Sequence, residues 1–253
     1  MQHRTRLAVL GSALAVAAVG FAAPGAVAVD GDLKIDKITV SDGKPIVLGT
    51  SAGKTFKVAV TATDDSGIKA AEDITLYGPD TNYAMPTGAV KCEASSATTS
   101  TCTATFTLDP DTDFFDNSPA GTWYVDAFLV ANDDDSLLAQ KAASFKVQRA
   151  AKLTVNASPE PVKKGKTLTI TGALTRANWS TQKYAAYGSQ SATLEFKKKG
   201  ATAYTAVKTV KADSRGNLKT TVKASVDGSY RYVFAGNSTT GAVKATGDAV
   251  DVR

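Results

Sequence analysis

Histidine is all but missing from this sequence. Its single histidine is His3, which falls in a segment that we predict is removed. The remaining chain therefore lacks the commonest general base and the commonest metal ligand. Carboxylates are plentiful, but they fall on predicted loops without an evident cleft. We interpret the protein as non-enzymatic.

Cysteine is scarce as well, with only Cys92 and Cys102 present. An exported chain meets an oxidising environment, so the expected state of this pair is a disulfide. The loop that it would close is short, and the chain-entropy model gives it a stabilisation of about 2–3 kcal/mol. We expect no free thiol.

Long apolar runs are absent except at the start of the chain. Two arginines lie within the first six residues, and an apolar run covers residues 7–23. Pro24 and Gly25 break that run, and Ala26–Ala28 fits a small-residue cleavage site. This pattern predicts a signal peptide over residues 1–28 and a secreted, extracellular protein. A membrane anchor is the alternative, but the run is short for a span. We predict no transmembrane segment in the mature chain from Val29 onward.

Charge of each sign is concentrated in one half. Residues 29–147 contain 18 acids and 9 lysines, a net charge of −9. Residues 148–253 contain 18 lysines and arginines against 6 acids, a net charge of +12. The overall value of +5 therefore conceals an acidic half joined to a basic half. Such asymmetry suggests different partners for the two halves, or attraction between them.

Strand patterns dominate, and no window predicts a convincing amphipathic helix. Alternation of apolar and polar residues is clearest over residues 55–63 and 123–130, where Trp123 falls on the apolar face. The first half contains six such runs and the second half seven, the latter placing Tyr230 and Tyr232 in the core. Short strands at this spacing predict an all-β fold of two tandem immunoglobulin-like β-sandwiches.

Local repeats tie the halves together. Residues 38–41, 53–58 and 121–125 resemble residues 153–156, 165–170 and 228–232, at offsets of 115, 112 and 107 residues. Near-constant offsets of one domain length predict two copies of one fold, although common strand and turn residues also match by chance. We predict an acidic domain over 29–148 and a basic domain over 149–253, joined by a short linker.

Several stretches carry a family resemblance. TATDDSGI (61–68) and GTWYVDAFLVANDDDSLL (121–138) resemble bacterial extracellular immunoglobulin-like and cadherin-like domains. SPEPVKKGKTLTITG (158–172) and DGSYRYVFAG (227–236) resemble immunoglobulin-like domains of secreted bacterial proteins, some of them described as calcium-binding. The resemblance implies the fold and makes calcium the candidate cofactor. Its motifs are strand and turn patterns, which say little about function.

The lead candidate for a metal site is an acidic loop. Four carboxylates fall within residues 109–116, and oxygen-rich loops suit calcium, although the spacing is not that of an EF-hand. The immunoglobulin topology predicts this loop at the pole facing the second half, near Asp80 and Asn82. The predicted ligands are Asp109, Asp111, Asp113, Asp116 and Asp80. A solvated loop, or ion pairs to lysines of the second half, is the alternative.

A second acidic set is predicted at the opposite pole. Asp64 and Asp65 follow one strand, and residues 132–135, NDDD, separate two others. Those two loops are neighbours in the immunoglobulin topology. Because Asp and Asn are common turn residues, we interpret this set as ordinary turn chemistry.

The basic half suggests a second function, namely binding of cell-wall polymer or anionic polysaccharide. We expect the aromatic side chains of a predicted long loop to be exposed and able to stack on sugar rings. They are Trp179, Tyr184 and Tyr187. The candidate residues are Lys163, Lys164, Lys166, Lys197, Lys198, Lys199 and Trp179. Another extracellular protein is the alternative partner, and nucleic acid fits poorly because no aromatic and basic recognition motif is present.

Overall fold

A computed structural model describes the backbone of residues 27–253 and the side chains from residue 31 onward. The predicted signal peptide lies outside the described residues, except for Val27 and Ala28, which begin the first strand. The described chain is all-β, with one 3₁₀ turn at Ser41–Gly43. No helix in residues 27–253 has the length and apolar character needed to cross a membrane.

The N-terminal sandwich consists of two sheets built from the first ten strands. One sheet has the order β2–β4–β8–β7, and the other has the order β1–β10–β9–β5–β6, with β3 parallel to β10. Side chains alternate between buried and partly exposed along β8 and β9, as expected for strands with one face on a core. The strands are β1 (Val27–Asp30), β2 (Lys34–Val40), β3 (Ile46–Leu48), β4 (Lys54–Thr63), β5 (Ile68–Tyr77), β6 (Tyr83–Ala84), β7 (Lys91–Ala94), β8 (Thr99–Leu108), β9 (Gly121–Ala131) and β10 (Ser136–Arg149).

Aromatic side chains fill the centre of this sandwich. Trp123 is fully buried on β9, where its indole N–H donates to the Pro119 carbonyl over 2.8 Å. Its ring lies 6.3 Å from that of Phe145, which in turn lies 6.1 Å from Phe56. The predicted disulfide is confirmed, since Cys92 on β7 is bonded to Cys102 on β8.

The C-terminal sandwich consists of two five-stranded sheets, one of which is built around the long strand β13. β13 pairs with β11 and β12 along one edge and with β14 and β17 along the other. The opposing sheet has the order β16–β15–β18, with β19 and β20 both on β18. The strands are β11 (Ala151–Leu153), β12 (Asn156–Ser158), β13 (Thr167–Asn178), β14 (Lys183–Ala186), β15 (Ser191–Lys198), β16 (Thr205–Lys211), β17 (Asn217–Lys223), β18 (Gly228–Phe234), β19 (Val243–Lys244) and β20 (Asp248–Val250).

The repeated sequence stretches occupy equivalent places in the two sandwiches. Residues 55–58 and 167–170 lie on β4 and β13, which pair antiparallel with β2 and β12 respectively. Residues 121–125 and 228–232 begin β9 and β18. Tyr230 and Tyr232 are buried in the second core, as expected. The division into independently folding domains at 148/149 stays a prediction, although the two halves have separate cores apart from the joint.

The joint between the sandwiches is packed. The hairpin of β13 and β14 carries Trp179 into the core of the N-terminal sandwich, where only 1% of its surface is exposed. The Trp179 ring lies 4.9 Å from that of Phe114, and its indole N–H donates to the Gly49 carbonyl over 2.8 Å. The linker residue Ala150 is hydrogen-bonded to both sandwiches. Its N–H donates to the Leu48 carbonyl, and its carbonyl accepts from the Ala177 N–H.

The expectation that Trp179 is exposed and stacks on sugars was therefore wrong. Its backbone N–H donates to Asn117, and its ring fills a gap beneath the loop between β8 and β9. Tyr187 is buried as well, with its ring edge-on to Phe234 at 5.8 Å. The polar residues around Trp179 concealed its burial, because its apolar partners come from the other half of the chain.

Adjacent phenylalanines test how much the joint contributes. Phe114 is 6% exposed against Trp179 and Trp123, whereas Phe115 is 96% exposed. We expect Phe114→Ala to lower the free energy of unfolding by about 3–5 kcal/mol, because it leaves a cavity under the indole. Phe115→Ala, the matched control, should change it by less than about 0.5 kcal/mol. Urea unfolding measures both values, and similar losses in the two variants would contradict this account of the joint.

Candidate cation site

The acidic loop of residues 109–117 lies at the joint, where the topology predicted it. Its side-chain contacts across the joint are hydrogen bonds from amides and not ion pairs, since Asn117 donates to Asn178 over 3.0 Å and Gln182 donates to the Asp111 carboxylate. The four ion pairs found among residues 31–253 each lie within one half of the chain. Ion pairs between this loop and lysines of the second half, the alternative to a metal site, are not among them.

The carboxylates of this loop close its own turns. Asp109 accepts from the Asp111 N–H over 2.9 Å, and Asp113 accepts from the Asp109 N–H over 2.7 Å. Asp116 accepts from the Ser118 N–H over 2.8 Å, and this bond lowers the pKa of Asp116. Asp80 lies on the turn between β5 and β6. The five predicted ligands are thus placed by loop geometry and are not drawn into one group.

Groups of three acids do form at the opposite pole. In the part of the chain whose side chains are described, two sets have carboxylate oxygens within 4.8 Å of one another, and Asp64 belongs to both. Neither set contains a residue of the predicted loop. The sets are Asp32 with Asp64 and Asp135, and Asp64 with Asp65 and Asp133.

Three chain segments assemble this acid pole. Asp32 precedes β2, Asp64 and Asp65 follow β4, and Asp133 and Asp135 lie between β9 and β10. Their loops are tied together by hydrogen bonds to the turn of residues 64–67. That turn accepts from Asn132 twice, at the Gly67 carbonyl over 2.9 Å and at the Ser66 carbonyl over 2.8 Å.

Asp64 is the central residue of the acid pole. It has no exposed surface, which is rare for an aspartate side chain. Its Oδ1 accepts from the Ser66 N–H over 2.9 Å and from the Ser66 hydroxyl over 2.6 Å. Its Oδ2 is buried and has no hydrogen-bond partner, a condition that costs free energy unless a ligand supplies the missing contact.

The field at this pole is negative. Desolvation raises the pKa of Asp32, and the neighbouring carboxylates of Asp65 and Asp64 raise it further. The nearby cation Lys69 is engaged with Asp134 over 2.7 Å, an ion pair that lowers the pKa of Asp134. The five grouped acids therefore repel one another, and a bound cation would relieve that repulsion.

Sequence reasoning named the residues around Asp64 but took them for turn chemistry. The turn is real, since the Gly67 N–H donates to the Asp64 carbonyl over 3.1 Å. What the pattern could not reveal is the burial of Asp64 and the approach of Asp32. The available signal was the adjacency of two acid-rich loops in the predicted topology, joined by a third acid ahead of β2.

One catalytic motif is matched by the sequence but not by the structure. Residues 49–53 read G-T-S-A-G and match the G-x-S-x-G of a nucleophile elbow. An elbow leads from a strand into a helix, whereas this segment lies between β3 and β4. Ser51 is exposed, and residues 31–253 include no histidine to activate it. The segment is a connection between strands.

No protein-family model matches the sequence, and no curated protein matches it. Similar solved structures include the fibronectin(III)-like modules of Clostridium thermocellum CbhA, at 12% identity over 87% of this chain and 93% of that one, with a TM-score of 0.37. The D00-D0 domain of intimin is 13% identical over 85% and 99%, with a TM-score of 0.26. Latent PorU of Porphyromonas gingivalis is 14% identical with a TM-score of 0.29, and this chain spans 20% of it. These likenesses concern the all-β architecture alone.

The turn that presents Asp64 depends on Gly67. Its φ is +86°, and a Cβ there would lie 2.5 Å from the Ala97 carbonyl oxygen. Gly43 has a similar φ of +75° but open space around it. We expect Gly43→Ala to cost about 1–2 kcal/mol from backbone strain alone.

Gly67→Ala should cost clearly more than Gly43→Ala, because the clash adds to the same strain. Chemical unfolding of the two variants, side by side, measures the difference. Equal losses would show that the turn does not pack as described.

Proposed function

We propose that this chain is an extracellular, non-enzymatic binding or structural protein whose N-terminal sandwich binds calcium at the acid pole. The observation that carries the proposal is the buried Asp64 carboxylate. Its Oδ2 has no hydrogen-bond partner, and other carboxylates surround it. Burial of a lone carboxylate is costly, and it is normally compensated by pairing or by metal coordination. No ion pair among the described side chains of residues 31–253 involves Asp64, and Lys69 is paired with Asp134.

The donor set fits calcium. All candidate ligands are oxygens, which hard cations prefer, and no sulfur or imidazole ligand is involved. Two oxygens that each lie about 2.4 Å from one calcium are at most about 4.8 Å apart. Both acid groups satisfy that limit. Magnesium is less suited, because it demands near-octahedral geometry and gives up its water reluctantly.

Asp64 would be the shared ligand. Asp32 and Asp135 would hold a cation on one side, and Asp65 and Asp133 would hold one on the other. Backbone carbonyls and water would complete the six to eight oxygens that calcium takes. Bound calcium would supply the positive charge that joins the segment ahead of β2 to the loops after β4 and β9.

The resemblance to domains described as calcium-binding supports the ion, but the geometry favours a different loop from the one first predicted. Asp109, Asp113 and Asp116 already close their own turns. Asp111 accepts from Gln182 across the joint. Asp111, Asp113 and Asp116 are exposed, so water can satisfy their remaining oxygens, whereas at the acid pole a calcium would satisfy a buried oxygen that has no partner.

Substitution of Asp64 tests the proposal. In millimolar calcium the wild-type chain should unfold at a higher temperature than in chelator, since a ligand at 100 times its Kd stabilises the folded state by about 2.7 kcal/mol. Asp64→Asn should abolish that shift. In chelator it should leave the midpoint unchanged or raise it, because it removes a buried, unpartnered charge. Differential scanning calorimetry measures both.

The matched control is Asp113→Asn, which removes the same charge from the loop at the joint. It should keep the full calcium shift, whatever it does to the absolute midpoint. A wild-type chain that shows no shift would refute calcium binding altogether. A shift lost in Asp113→Asn and kept in Asp64→Asn would return the site to the joint.

A further inference from the structure

The end of the C-terminal sandwich farthest from the joint gathers basic residues from separate parts of the chain. The turn of residues 163–166, the turn of residues 198–201, the link of residues 225–227 and the segment 251–253 all meet there. β13 separates this basic end from Trp179. Its 12 residues span about 40 Å at about 3.3 Å per residue.

Backbone hydrogen bonds lock these segments to one another. The Lys164 N–H donates to the Arg253 carbonyl over 2.7 Å, and the Lys199 N–H donates to the Asp227 carbonyl over 2.9 Å. The Asp227 carboxylate accepts from the Val252 N–H over 2.9 Å, which lowers the pKa of Asp227. The positions of the basic side chains are therefore set by the fold, even though the side chains extend into solvent.

The acids at the basic end leave most of its positive charge uncompensated. Lys199 is paired with Asp227 over 3.4 Å, and Arg253 is paired with Asp251 over 3.1 Å. Glu160 is a third acid, and partial desolvation together with the neighbouring Asp248 carboxylate raises its pKa. None of the four ion pairs found among residues 31–253 involves the remaining lysines of this end, which are Lys163, Lys164, Lys166, Lys197 and Lys198.

Two open pockets adjoin across this end. One of about 410 Å³ is lined by Lys164, Lys198 and Arg253, and one of about 600 Å³ is lined by Lys197 and Lys198. They share Lys198, Lys199 and Asp227, so they form one continuous basic depression. An elongated ligand could follow it past successive lysines.

We propose that this basic end binds a linear polyanion that carries repeated phosphate or carboxylate groups, of the kind found in acidic polysaccharides and polyol-phosphate polymers. The lysines are exposed, apart from the partly exposed Lys197, so each single ion pair would contribute little. A single small anion would therefore bind weakly, and useful affinity requires several charges along one chain. This inference is independent of calcium at the acid pole, and Trp179 has no part in it.

Binding should be measured in chelator with two charged probes, inorganic polyphosphate and polygalacturonate, and with neutral dextran as the blank. Isothermal titration calorimetry on the whole chain at low salt should detect at least one charged probe. Affinity should fall steeply as salt rises, because charged contacts of this kind are screened and release counterions. The probe that binds more tightly distinguishes phosphate from carboxylate polymers.

Two triple variants with equal loss of charge separate a site from net charge alone. Lys163→Gln with Lys164→Gln and Lys198→Gln should weaken binding by about tenfold or more. Lys211→Gln with Lys219→Gln and Lys244→Gln removes three exposed lysines elsewhere on the same sandwich, and should weaken it by less than about threefold. No binding of either probe, or equal losses in the two triples, would overturn the proposal. Asp64→Asn should bind the probes like wild type, so the experiment can reject one proposed site without rejecting the other.

Discussion

The insertion of Trp179 beneath the loop between β8 and β9 is the contact on which the arrangement of the molecule depends. A tryptophan from one half completes the core of the other, between the Phe114 ring and the Gly49 carbonyl. The linker is too short to place the halves apart, and both of its sides are hydrogen-bonded. The two sandwiches are therefore held end to end, and their outer poles point away from each other.

No ion pair among residues 31–253 crosses this joint, although the two halves carry opposite net charge. Net charges of −9 and +12 suggest halves that attract each other, yet the contacts across the joint are rings, amides, backbone groups and single charged side chains. One of those is the buried Arg149, whose Nε donates to the Ala177 carbonyl. The acidic loop at the joint contributes Asp111 to a bond from Gln182 and buries Phe114. The grouped acids around Asp64 and the basic residues around Lys198 lie at the two free ends, where partners from outside the chain can reach them.

The sequence was sufficient for the strands and for most of the core. Alternation placed Trp123, Tyr230 and Tyr232 inward, and all three are buried. The presence of only two cysteines in a chain that we predict is exported led us to expect the disulfide, which is present. Both signals are local, because they depend on the period of a strand or on one pair of residues.

Trp179 and Asp64 were misread because their surroundings come from distant parts of the chain. Trp179 stands among polar residues in sequence but packs on Phe114, 65 positions away. Asp64 looks like any turn aspartate, and only the approach of Asp32 and Asp135 makes its burial significant. Such contacts are decided by how loops and sandwiches meet, and strand periodicity carries no information about that.

The two proposed sites should act without electrostatic influence on each other. Screening at physiological ionic strength reduces charge interactions beyond about 8 Å, whereas β13 alone separates the basic end from the joint by about 40 Å. One calcium would lower the negative charge of the acidic half without reversing it. Any coupling between the ends must therefore be mechanical, and it would have to pass through the joint at Trp179. The Trp179 indole is then not the ligand platform that the sequence suggested. It is the rigid connection that keeps the two proposed sites apart.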